Sequence, residues 1–208
     1  MIRTMGRPST REKLLDCAEQ LFAEHGLEGV SLRAINAEAG LSPAALHYHF
    51  GTQQALVEAL LERHMPKLME RRRRMLDDLE ARQTRPAARE VLLALVSPLA
   101  DFLAEGGAQA LRYLRLIHRL QADGDLDPGF VVERWPGGVD RLLPLLMGAT
   151  PSLPRSVVEH RLGLAIDVML RSLAEGPAPQ GGDLGAHVRA LLDFLTGAME
   201  APATGDPS

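Results

Sequence analysis

Gly40-Leu41-Ser42-Pro43-Ala44-Ala45-Leu46-His47-Tyr48-His49-Phe50 sets where a short helix starts, where it stops and which way it faces. Gly40 suits a left-handed helix stop. Ser42 offers a capping oxygen, and Pro43 stands at the first helical position, where its missing N–H is not needed. The helix then reaches only to Phe50, because Gly51-Thr52 breaks the chain and caps it again. At about 100° per residue, turning Leu46 and Phe50 into a core turns Ala44 and Tyr48 nearly opposite. Ala45 and His47 fall on the flanks. The outward face is therefore small residues with one phenol and one imidazole. Small side chains let a helix approach the DNA major groove closely, and Tyr and His can donate to phosphates or bases.

Toward the N-terminus, Ser31 caps a short helix with Leu32, Ile35 and Ala39 inward, ended by Gly40. Before it, Ser9-x-x-Glu12 is a capping box opening a helix over 10–25, with Leu14, Leu15, Ala18, Leu21 and Phe22 at helical spacing. Two short helices joined by a tight Gly-containing turn form a helix-turn-helix, although an ordinary helical hairpin meets the same pattern. The residues themselves go further. Gly40-x-Ser42, the Tyr48-x-Phe50 pair and Leu56 six residues on resemble the DNA-binding head of the TetR family of transcriptional regulators, over about residues 8–60. DNA contacts are assigned to Arg3, Arg7, Ser31, Arg33, Ser42, Pro43, Ala44, Ala45, His47, Tyr48, His49, Thr52 and Gln53. The family usually carries Lys where Gln53 stands and Ala where Asn36 stands. Gln53 at a helix N-terminus can still hydrogen-bond a phosphate, but without charge.

Composition agrees with helices throughout. Leu and Ala number 63 of 208 residues, against 22 for Val, Ile and Thr together, and no period-2 run stands out. The expected fold is all-α, with about nine helices. The longest uninterrupted apolar run, Val91 to Val96, is far short of the roughly 18 residues that span a bilayer, so no membrane partner is expected. Cys17 stands alone, which excludes an intrachain disulfide and a cysteine zinc site, and the protein reads as cytoplasmic. Residues 1–74 hold 11 Lys/Arg and 9 Asp/Glu, while 75–208 hold 12 and 18. A mildly basic head on an acidic body meets a polyanion favourably only at the head.

Thr52 opens a long fourth helix, kinked at Pro66. Helices over 87–104 and 108–122 follow, separated by Gly106-Gly107, and then one from Asp127-Pro128 to Met147, disturbed at Pro136-Gly137-Gly138. Arg71 to Arg74 lie about 27 Å along helix 4 from its start, at 1.5 Å per residue, and read as a solvated face. The last two helices, about 154–175 and 183–199, are apolar on most sides. They are the candidate dimer face, forming a four-helix bundle across a twofold axis. Asp123, Asp125 and Asp127 begin like a calcium loop, but Pro128 and Arg134 stand where Gly and Glu are required. No metal or cofactor is expected, and no catalytic constellation is found. Effector contacts are assigned to Tyr113, Arg115, His118, Trp135 and Asp167.

The organisation expected is a DNA-binding domain over 1–51 with a basic arm, an effector-binding and dimerisation domain over 52–200, and a flexible tail over 201–208. Helix 4 links the two domains, and the resemblance implies that it couples them. The function read is a ligand-responsive repressor that binds a near-palindromic operator as a homodimer and responds to an apolar or amphipathic small molecule. The alternative is a helical sensor or protein-interaction module whose head has lost DNA binding.

Overall fold

The computed structural model describes residues 9–176 and 183–203. Arg3 and Arg7 of the basic arm, the loop 177–182 and the tail residues 204–208 lie outside the described residues. Among the described residues every regular element is a helix, ten in all. They are α1 (Thr10–His25), α2 (Leu32–Glu38), α3 (Ala45–His49), α4 (Gln53–Glu62), α5 (Met65–Glu80), α6 (Ala88–Ala122), α7 (Pro128–Arg134), α8 (Leu142–Ala149), α9 (Arg155–Glu175) and α10 (Leu184–Glu200). The chain divides into two compact units, residues 1–64 and 65–208. The division falls after His64, so α4 belongs with α1 to α3, whereas the sequence grouped it with the body.

The first unit closes over Leu14, Leu15, Phe22, Ile35, Leu46, Leu56 and Leu60, all without solvent exposure. Ser9, Ser31 and Thr52 cap α1, α2 and α4 through their side-chain oxygens. Only half of the expected capping box forms: Ser9 Oγ accepts the Glu12 N–H at 3.2 Å, but the Glu12 carboxylate turns to Arg63 instead. Arg63, just past α4, also meets Asp16 at 2.6 Å and Glu19 at 3.2 Å, which binds the end of α4 to α1. Burial lowers the proton affinity of this guanidinium, but the three carboxylates outweigh it and raise its pKa.

One long fourth helix was expected, and two are found. Pro66 has no N–H to give the Glu62 carbonyl, and its ring crowds that oxygen. The backbone tightens instead, with Arg63 and His64 donating to carbonyls three residues back, and α5 begins at Met65 with Pro66 in its first turn. Conversely, the helices expected over 87–104 and 108–122 are one element, α6, bent at Gly107 with φ 53°. The segment from 127 to 147 splits into α7 and α8 around Pro136-Gly137-Gly138.

In the second unit α6 is the central helix, packed against α5, α8, α9 and α10. Counting uninterrupted apolar residues undervalued it: averaged over a longer window, α6 is long and apolar enough to cross a membrane. Half of that window is buried among the other helices, as a core helix would be.

The Arg63 cluster sets a testable energy. Arg63→Ala leaves Glu19, which is 2% exposed, without its guanidinium. It should cost about 2 kcal/mol of stability, less than a fully buried pair because Glu12 and Asp16 are half exposed. Urea unfolding followed by far-ultraviolet circular dichroism measures it.

Candidate functional site

Helix α3 is positioned by a side chain from α2. Ser42 was expected to cap it, but no side-chain cap is made at its start; the Ser42 carbonyl accepts the Ala45 N–H instead. The capping role passes to Asn36, which is 2% exposed. Its Oδ1 accepts the Leu46 N–H at 3.1 Å. Its Nδ2 donates to the carbonyls of Leu32 and Pro43, each at 3.1 Å. One amide thus fixes both the start of α3 and the turn before it, and Gly40 with φ 65° lets that turn close.

With Leu46 anchored in the core, Ser42, Pro43, Ala44, His47 and Tyr48 are exposed, Tyr48 at 86%. Ala45 and His49 are half-buried. So is Phe50, expected in the core; its ring lies under the Arg11 guanidinium, 5.2 Å from the centroid. The His47 Nδ1 lies 3.0 Å from the Gly51 carbonyl. A carbonyl only accepts, so Nδ1 is the donor in this contact. Tyr48 and His49 meet edge to face at 5.2 Å.

Around α3, Ser31 and Thr52 are exposed with their oxygens committed to helix caps at 3.1 Å. Arg33 is exposed and forms no ion pair among the described residues. Gln53 points one amide N–H back to the Leu27 carbonyl at 2.9 Å, which leaves one N–H for another acceptor. The charge picture changes with the division of the chain. Residues 1–64 hold six Lys/Arg against eight Asp/Glu, a net of −2. The excess of positive charge over 1–74 came from Lys67 and Arg71 to Arg74, which belong to the second unit. Arg63 is spent on carboxylates, and the other described cations of the first unit are Arg11, Lys13 and Arg33.

The second unit holds a half-open cavity of about 330 Å³ among α5, α6, α9 and the 126–143 segment. Its wall is mostly Leu, Met, Ile and Val, with Arg72, Gln121, Glu159 and Asp167 as polar members. Of the five effector contacts assigned from sequence, only Asp167 lines it. Tyr113 is fully buried, edge to face with Phe102 at 5.7 Å. Trp135 packs on Phe130, Arg115 donates to the Ala174 carbonyl at 3.3 Å, and His118 is half-buried off the cavity wall. Arg72 was missed. Arg71, Arg73 and Arg74 do form solvated pairs with Glu105, Asp77 and Glu70, and the two neighbours of Glu70 pull its carboxyl down to about 2. Arg72 does not join them: it is 2% exposed, and its Nε and Nη2 donate to the carbonyls of Ala94 and Leu95 at 3.2 and 2.9 Å. The sequence held only half of the signal, a carbonyl short of a donor and not the side chain that serves it. Pro98, four residues after Ala94, has no N–H to give that carbonyl.

Residues 14–60 match the family of bacterial regulatory proteins of the tetR type, and residues 93–201 match the tetracyclin repressor-like C-terminal domain. The chain belongs to the TetR family. This TetR-family protein is a DNA-binding transcriptional regulator. It is 27% identical over 190 residues to the transcriptional repressor Rv1474c of Mycobacterium tuberculosis, covering 89% of this chain and 90% of that one. It is 28% identical over 78 residues to the regulator UidR of Escherichia coli, where the match spans 38% of this chain and only 39% of UidR. In fold it is similar to FadR of Bacillus subtilis, solved in complex with stearoyl-CoA, with a TM-score of 0.58 at 18% identity over 90% and 98% of the two chains.

The Asn36 pin gives the second prediction. Asn36→Ala leaves the Leu46 N–H without its acceptor and the Pro43 carbonyl without its donor, costing about 2 kcal/mol. A thermal melt should show the loss, while the helical circular dichroism spectrum at low temperature stays unchanged.

Proposed function

We propose that this regulator is a ligand-responsive repressor that binds a near-palindromic operator as a homodimer. The observation that carries the DNA half is α3: its buried Leu46 and the Asn36 pin leave a face of Ser42, Pro43, Ala44, His47 and Tyr48 open to a groove. Ala45 and His49 flank that face. Ser31, Arg33, Thr52 and Gln53 serve as backbone contacts, with Arg3 and Arg7 reaching phosphates from the arm. The first unit, which includes α4, is the DNA-binding part, and the second unit carries effector binding and dimerisation. Gln53 in place of a charged residue lowers the affinity for phosphates without removing anything from α3, so it weakens DNA binding and does not abolish it.

The dimer face is α9 with α10. Leu164 and Phe194 are large apolar side chains left 50% and 62% exposed there, and a partner helix pair would cover them. The effector enters the body cavity, whose mostly apolar wall suits an apolar or amphipathic molecule. FadR, the structural neighbour named above, was solved with stearoyl-CoA, a molecule of that kind. Regulation requires that the effector bind the DNA-competent and DNA-free states with different affinity. Such a repressor works in the cytoplasm, where its operator is.

A gel shift with DNA from upstream of the protein's own gene, against excess competitor DNA, tests the reading. Footprinting should show two half-sites about 34–36 Å apart or a multiple of that. A single asymmetric half-site bound by a monomer would overturn it. Tyr48→Phe and His47→Ala should each weaken operator binding about fivefold, the value of one hydrogen bond, with an unchanged melting temperature for Tyr48→Phe and a small drop for His47→Ala, which loses the Gly51 bond. Arg7→Ala should weaken binding to all sequences alike and reduce the salt slope by about one.

A further inference from the structure

We propose that the body cavity takes a small amphipathic carboxylate, whose anionic head pairs with Arg72 and whose apolar part lies along the methionine- and leucine-rich wall. The proposal rests on the effector reading of this cavity and names the chemistry of the occupant.

Arg72 lines the cavity from α5 and is almost wholly withdrawn from water. Its partners are all neutral: two backbone carbonyls and the Met69 sulfur, 3.6 Å from Nη1. No carboxylate pairs with it among the described residues. Arg63 and Arg141 are less buried, yet they hold three and two carboxylates. Pro98 explains why an arginine reaches the Ala94 carbonyl, but not why a full positive charge is kept there without a counter-charge. A buried cation without its anion is costly, and a neutral donor would satisfy the carbonyl more cheaply. Burial pushes the guanidinium down to about 10, so it is still charged at neutral pH.

Two carbonyl bonds and one weak sulfur contact use three of the five guanidinium N–H groups. The planar fork matches a carboxylate, and the apolar surroundings strengthen the pairing. One negative charge balances Arg72, whereas Glu159 and Asp167 lie exposed on α9. A second would find no further cation and would face Glu159 and Asp167, which line the same cavity from α9. Asp167 already accepts from Gln121 Nε2 at 3.4 Å, so that end of the cavity suits a neutral or donor-bearing group. The volume of about 330 Å³ is near the lower end for ligand pockets, which favours a compact acid over a large conjugate.

Isothermal titration of the full chain, without DNA, with decanoate and decanol tests the site. Decanoate should bind at least about tenfold more tightly than decanol, the value of a charge-assisted pair. Arg72→Met should abolish the preference for decanoate over decanol, and Arg72→Lys should retain part of it. Because Arg72 also serves the Ala94 carbonyl, the same comparison is made in Arg72→Met with Pro98→Ala, which returns an N–H to that carbonyl. Gly163→Leu, which extends into open space on the cavity wall, should weaken decanoate and decanol alike. Equal affinity for decanoate and decanol, a preference that survives in the double variant, or no carboxylate binding at millimolar concentration across fatty and aryl-alkanoic acids overturns the proposal. If decanoate binds through Arg72 and operator affinity does not change, the site stands and the ligand-responsive reading fails.

Discussion

Wherever a helix breaks, backbone groups lose the partners that the helix would have supplied, and a buried carbonyl or N–H left alone is costly. In this all-helical protein the breaks at the two candidate sites are met by side chains from elsewhere in the fold. Asn36 of α2 serves the start of α3, and Arg72 of α5 serves the Ala94 carbonyl that Pro98 leaves without a donor in α6, together with that of Leu95. Gln53 closes the loop after α1 at Leu27, and Arg161 gathers the carbonyls of Met199 and Ala201 at the end of α10. These links join elements distant in sequence, and they decide which faces remain for binding.

In the first unit the consequence is a short helix held from behind. Five residues of α3 are too few to be stable alone, since helix nucleation is unfavourable and so short a run adds few bonds. Leu46 in the core and the Asn36 amide hold it, leaving the opposite face free of structural duty. A recognition helix needs that separation, because side chains that read DNA must be exchangeable without loss of the fold. His47 is an intermediate case: its side chain is exposed, but its Nδ1 is tied to the Gly51 carbonyl, which orients the ring.

In the second unit the proline that disturbs α6 is answered by the one buried member of an arginine run. Arg71 to Arg74 differ by 100° steps around α5, so a single helix face places Arg72 inward while its neighbours pair with Glu70, Asp77 and Glu105 at the surface. Four identical residues thus divide between solvent and cavity by angle alone. The division after His64 places Lys67 and these four arginines in the second unit, and leaves residues 1–64 with a net charge of −2.

By itself the sequence determined the helical class, the caps at Ser9, Ser31, Thr52 and Asp127, the stop at Gly40 and the outward position of Tyr48. Capping, glycine stops and the period of a helix act within a few residues of the chain, so they can be read without knowing the fold. The split at Pro66 was also visible, as a kink, because proline acts on the carbonyl four residues before it. Tertiary structure alone decided that Asn36 rather than Ser42 caps α3, that Phe50 lies under Arg11, and that Arg72 rather than His118, Tyr113 or Trp135 faces the cavity. Each of these depends on which second helix packs alongside, and that choice is made by the summed burial of many apolar side chains, which no local pattern encodes.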